Sequence, residues 1–140
     1  MLNTQELRLG NYVNVPREDQ SPFRIDGFEF LTKDFCKVEM VFNPNFHPLT
    51  WELKDLQPIP LTPDILVKAA ALVNKVSFTY RIDLPGIQML FLDLAGVGTT
   101  SYYVNIFQQG VSITLGKVQY LHQLQNLFFA LTGTELTLSL

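Results

Sequence analysis

Thr100-Ser101-Tyr102-Tyr103-Val104-Asn105-Ile106-Phe107-Gln108-Gln109-Gly110-Val111-Ser112-Ile113-Thr114-Leu115 is the stretch that decides the fold class. On either side of Gln108-Gln109-Gly110 the residues alternate, as in strands whose two faces meet different surroundings, and the glycine supplies a turn. An antiparallel hairpin is the expected result. With Val104 and Ile106 turned toward the core alongside Val111, Ile113 and Leu115, the opposite face collects Tyr103, Asn105, Phe107, Ser112 and Thr114.

Working upstream, Ala95 to Thr99 reads as a flexible connection, and Ile87 to Leu94 is apolar on both faces, which suits a central strand. Val76, Phe78, Tyr80 and Ile82 alternate with Ser77, Thr79, Arg81 and Asp83, and Leu84-Pro85-Gly86 turns the chain. A four-stranded antiparallel meander is therefore predicted. Thr62-Pro63-Asp64 opens a helix, with a hydroxyl cap, proline at the first position and an acid at the positive end of the dipole. That helix should run from Pro63 to about Val73. Downstream, Gly116 and Lys117 end the sheet and a second helix starts near Val118 and stops at Gly133. Its apolar stripe is Leu121, Leu124, Leu127, Phe128 and Leu131, while His122, Gln125, Asn126 and Phe129 occupy the other side. Leu136, Leu138 and Leu140 alternate in a tail that forms a last edge strand or frays.

Before residue 61 the pattern changes to short strands with no helix: Arg8 to Val15, Phe23 to Phe30 with a bulge at Gly27, Cys36 to Phe42, and Leu49 to Leu53. Such a run predicts a small SH3-like β-barrel, closed or half-open. Gln57-Pro58-Ile59-Pro60-Leu61 breaks the pattern, because its prolines remove backbone donors and hold the chain extended. The class is thus α+β, with a barrel over 1–60 followed by an α-β-β-β-β-α unit over 61–140.

Hydrophobic residues make up 47% of the 140 and charged residues 16%, against roughly a quarter in ordinary soluble domains. Core formation is favoured and disorder is excluded. The net charge of −3 lacks the basic footprint needed to neutralise phosphates, so nucleic acid is a disfavoured partner. No charge falls between Leu94 and Gly116, yet Gly, Ser, Thr, Asn and Gln interrupt the stretch too often for a membrane span. The first residues lack the basic and apolar regions of a secretory signal, and Cys36 is the single cysteine. Both point to a cytoplasmic protein.

No set of residues composes a reaction. Cys36, His47 and His122 are not at metal-ligand spacing, and Cys36 falls on the apolar face of its strand, so neither a metal nor a cofactor is expected. Gly96-Val97-Gly98-Thr99-Thr100 is followed by a strand, whereas a phosphate loop needs a helix start and usually a lysine. Asp83 and Asp93 end consecutive strands, where aspartates more often cap turns than divide acid and base roles. An enzyme is not favoured, and no catalytic residue is assigned.

Two surfaces remain. Tyr103, Asn105 and Phe107 form an aromatic, polar, charge-free face of the kind found at interface cores, unless the N-terminal part covers it. His122, Gln125, Asn126 and Phe129 form a helix edge that docks a partner or, through His122 and Asn126, ties neighbouring elements together.

Glu6-Leu7-Arg8-Leu9-Gly10-Asn11, Pro58-Ile59-Pro60-Leu61-Thr62 and Tyr120-Leu121-His122-Gln123-Leu124-Gln125-Asn126-Leu127-Phe128-Phe129-Ala130-Leu131-Thr132-Gly133 together resemble a family of short uncharacterised bacterial and phage or mobile-element proteins. Its members open on ELRIGN, carry PIPLT at the centre and end on YVHQLQNLYFALTG. Leu121 and Phe128 depart from that ending conservatively. No activity is assigned to the family, so the resemblance implies a genomic setting and transfers no mechanism. The expected function is a non-enzymatic binding or adaptor protein, acting on a protein partner or on itself. The alternative is a small enzyme or ligand-binding protein with a pocket between barrel and sheet.

Overall fold

The computed structural model describes residues 2, 5–15, 22–30, 36–40, 49–69, 71–74, 79–86, 90–97 and 101–139. They divide into two compact units, Met1–Ile59 and Pro60–Leu140.

The first unit begins with a turn. Gly10 takes φ 89°, the Asn11 amide donates to the Arg8 carbonyl at 3.1 Å, and the Arg8 amide donates to Asn11 Oδ1 at 2.7 Å. The ELRxGN segment is thus a locked bend, and the strand expected from Arg8 shrinks to β1 (Tyr12–Asn14). β1 pairs with β2 (Pro22–Arg24), and the Gly10 and Ile25 amides extend that pairing through bonds to Ile25 O and Asn11 O. The chain then leaves for a different sheet, in which β3 (Gly27–Phe30), β4 (Cys36–Met40) and β5 (Leu49–Glu52) pair antiparallel in order. The expected Phe23 to Phe30 strand is therefore two strands separated by Ile25 and Asp26. Gly27 opens β3 opposite Glu39 rather than forming a bulge.

Because the two halves of that segment serve different sheets, the described strands make a two-stranded and a three-stranded sheet and close no barrel. A short 3-10 turn, Leu53–Asp55, follows β5, and the Asn14 and Gln57 backbones bridge at 2.9 Å in both directions. Leu2, Leu7, Val13, Val15, Phe23, Ile25 and Leu56 form the core, with Trp51 and Leu53 packed on it. The loop carrying His47 and the polar turn before Pro22 lie outside the described residues.

In the second unit Thr62 Oγ1 accepts from the Ile65 amide at 3.3 Å and caps α1 (Pro63–Lys68), as its sequence predicts. The helix stops one turn before the expected Val73. The Ala71 amide closes it by donating back to Leu66 O at 3.1 Å, a six-to-one bond that frees the next residues to extend. Those residues become β6 (Leu72–Asn74), a fifth strand where four were expected.

The sheet order is β10 (Val111–Val118), β9 (Ser101–Gln108), β8 (Leu90–Val97), β7 (Thr79–Asp83) and β6, antiparallel throughout. β8 takes the centre, as its two-sided hydrophobicity requires. Ala95, Gly96 and Val97 belong to it rather than to a loop; Val76 to Phe78 and Gly98 to Thr100 lie outside the described residues. β9 and β10 join through Gln109 and Gly110 at φ 50° and 83°, the positive angles that two-residue hairpins demand. β10 continues past the expected stop, absorbing Leu115 as an extra residue between Thr114 and Gly116. α2 (Leu121–Thr132) starts only after Val118, and Gly133 ends it at φ 69° with its amide on Phe129 O. The tail forms no strand among the described residues. Leu136 is buried, and the Ser139 amide donates to Lys68 O at 2.9 Å.

One sheet face carries the buried Ile82, Leu92, Leu94, Tyr102, Val104 and Val118. Ile82 lines one cleft with Ala69, Phe128 and Leu136, so the helices and the tail lie on that side.

Candidate functional site

Register fixes what lies on the opposite face. Phe91 pairs with Phe107, Asp93 with Asn105, and Ala95 with Tyr103, while Ser112, Thr114 and Lys117 stand opposite Phe107, Asn105 and Tyr103. Tyr103, Asn105 and Phe107 thus do share a face with Ser112 and Thr114. It is not charge-free, because β7 adds Arg81 and Asp83, β8 adds Asp93 and β10 adds Lys117.

These side chains engage one another. The Phe91 and Phe107 rings stack with centroids 5.3 Å apart and planes 5° from parallel, and the Arg81 guanidinium sits 4.0 Å from the Phe91 centroid. Arg81 Nε also donates to Asp83 Oδ1 at 2.7 Å. Thr114 Oγ1 donates to Asn105 Oδ1 at 2.6 Å, and Lys117 Nζ lies 4.9 Å from the Tyr103 ring. Arg81 stands directly across from Asp93 in the sheet.

On α2 the buried residues are Leu121, His122, Leu124, Gln125 and Phe128, whereas Leu131 is 38% exposed. At 100° per residue this turns the buried face away from the leucine stripe, toward His122 and Gln125, by less than one residue step. His122 and Gln125, expected at the outward edge, are inside, and the His122 ring lies nearly parallel to Tyr120 with centroids 5.9 Å apart. Asn126 is half-buried and Phe129 is exposed. Since α2 covers the face of Ile82, its residues and the Tyr103, Asn105 and Phe107 set lie on opposite sides of the sheet. They form no common patch.

What the sequence pattern concealed is the far end of the core-side face. Val111, Ile113 and Leu115 were expected against the helices but are 63%, 59% and 40% exposed. Position explains this: in the row Ile82, Leu92, Ile106, Ile113 the first two residues are buried and the last is exposed, so cover is lost across the sheet toward its outermost strand, β10. There Leu90, Ile106, Gln108, Gln109, Val111 and Ile113 line a hollow of about 500 Å³ with no ionisable group. The place of β10 at the end of the meander is the signal that could have found it.

A second cleft, of about 410 Å³, lies among Ala69, Ile82, Asp83, Pro85, Phe128 and the Thr134 to Thr137 tail. Among the described residues no group of three His, Cys, Asp or Glu is placed to hold a metal. Nor is any described helix long and apolar enough to cross a membrane. Burial, followed by the neighbouring Tyr80, pushes the Tyr102 hydroxyl above the ordinary tyrosine range, and Glu52 beside it at 2.8 Å raises Lys54.

The three stretches that carry the family resemblance have structural duties. Asn11 and Gly10 lock the first bend. Pro60 bridges Tyr120, and the Leu61 amide donates to Gln119 O at 2.9 Å. Gln123 Oε1 accepts from the Gln119 and Tyr120 amides at 2.8 and 3.1 Å, holding the start of α2. No protein-family model matches the chain, and no curated protein or solved structure does.

Proposed function

We propose that this protein is a non-enzymatic binding module that takes a protein partner at the hairpin end of its five-stranded sheet, along β10 and the hollow beside it. One observation carries this: among the described residues β10 is an edge strand, and its residues from Val111 to Lys117 are all exposed, three of them large aliphatics. Soluble proteins usually protect such edges with charge, proline or cover, and a bare apolar strand is the geometry that adds a further strand from a partner. The Tyr103, Asn105 and Phe107 face supports this reading less well, since its side chains are already engaged across strands.

Extended peptides displayed as a random library and panned against the full chain test the proposal. Peptides alternating aliphatic and small polar residues should be enriched. Their binding should weaken at least about tenfold in Ile113→Lys and persist in Tyr103→Ser. Equal binding to the wild type and to Ile113→Lys would remove β10 as the site.

A further inference from the structure

We infer that the strand received by β10 is β10 of a second copy, paired antiparallel about a two-fold axis at Ile113. The inference rests on the binding role proposed above and names its occupant.

Antiparallel self-pairing sets each residue against one equally far on the other side of the axis. A strand suits it only if its sequence is symmetric in kind about a centre. Val111-Ser112-Ile113-Thr114-Leu115 has that symmetry. Ile113 would meet Ile113 of the second copy, Val111 would meet Leu115, and Ser112 would meet Thr114. Aliphatic side chains then meet aliphatic ones and hydroxyls meet hydroxyls, the cross-strand matches that favour a sheet. Leu115 of the second copy would close against Val111 at the hollow's rim, joining two exposed apolar patches into one stripe.

Charge allows the same arrangement. Charged side chains ordinarily protect an edge from pairing, but nothing between Leu94 and Gly116 is charged. Lys117 lies beyond the paired segment. The two Lys117 side chains would stand past its opposite ends, about 27 Å apart and well outside the roughly 8 Å screening length of physiological salt. At the other limit, the extra residue at Leu115 and the Gly116 φ of 141° bend the strand and end the ladder, which fixes the register.

Sedimentation velocity on the full chain over a wide concentration range is the test. The wild type should move from the 16.0 kDa protomer to twice that mass as concentration rises. Ile113→Lys and Ile113→Glu should each remain protomers, and an equimolar mixture of the two should recover the doubled mass, because at the axis one charge meets the other. Ile113 is 59% exposed, so circular dichroism should show both variants folded. A wild type that stays a protomer throughout, or an Ile113→Lys that still doubles, overturns the inference. If the protomeric wild type nevertheless binds selected peptides through Ile113, the occupant is another protein and the binding role stands. If it binds none, both fall.

Discussion

Gln123 sets the start of a helix with one oxygen. Its Oε1 takes the amides of Gln119 and Tyr120, donors that precede the first helical turn and have no partner within the helix. Gln123→Ala should lower stability by about 1 kcal/mol, whereas Gln123→Glu should match the wild type or exceed it, since a carboxylate there also faces the positive end of the dipole. Urea midpoints of the two variants check this, and equal losses would show that the cap contributes nothing. Tyr102 makes a different prediction. Burial, then Tyr80, disfavours its phenolate, so the folded chain holds that proton to higher pH than the unfolded chain does. The associated stability is complete below the ordinary tyrosine range near pH ~10 and declines as pH rises from there through the folded-state value. Urea midpoints measured from pH about 9 to about 11 should fall in the wild type and fall less in Tyr102→Phe. Parallel slopes would place the alkaline sensitivity elsewhere.

At the scale of elements, the face that α2 buries can be tested by two leucines of the same stripe. Leu124 is inaccessible and Leu131 is 38% exposed. Leu124→Ala should cost about 2–5 kcal/mol and Leu131→Gln no more than about 0.5 kcal/mol, read from thermal or urea unfolding. Similar losses would restore the leucine stripe as the buried face. The pair also shows what was legible. Helix existence, the Thr62 cap and the Gly133 stop could be read, because capping chemistry is local and each signal lies within four residues of the group it satisfies. The sheet's antiparallel order was legible for the same reason, through Leu84-Pro85-Gly86 and Gln109-Gly110. Helix rotation was not, since periodicity ranks faces by hydrophobicity and His122 and Gln125 are polar residues that the fold nevertheless takes inside. β6 was hidden too: Leu72 to Asn74 continue a helical pattern, and only pairing with Thr79 to Arg81 makes them a strand. The exposed β10 side chains were assigned to the core because alternation reports which residues share a face and not which strands of the sheet the helices cover.

At the scale of the molecule, the chain holds two cores built from different residues. Val13, Phe23 and Ile25 anchor one, while Leu92, Leu94, Val104 and Leu124 lie in the other unit. The first is small and draws on short strands, so each of its fully buried side chains is a large share of its stabilisation. A cavity opened in one core removes contacts whose loss is felt first by the residues that line it. Ile25→Ala, at a site with no exposure, should cost about 2–5 kcal/mol and accelerate amide exchange in Tyr12–Asn14 and Pro22–Arg24. Leu94→Ala should instead accelerate exchange in Thr79–Asp83, Leu90–Val97 and Ser101–Gln108, the strands that meet at that side chain. Hydrogen exchange read by mass spectrometry resolves these segments separately. If either variant raised exchange equally in all of them, the two units would open in one cooperative step, and the division into two cores would describe packing without describing stability.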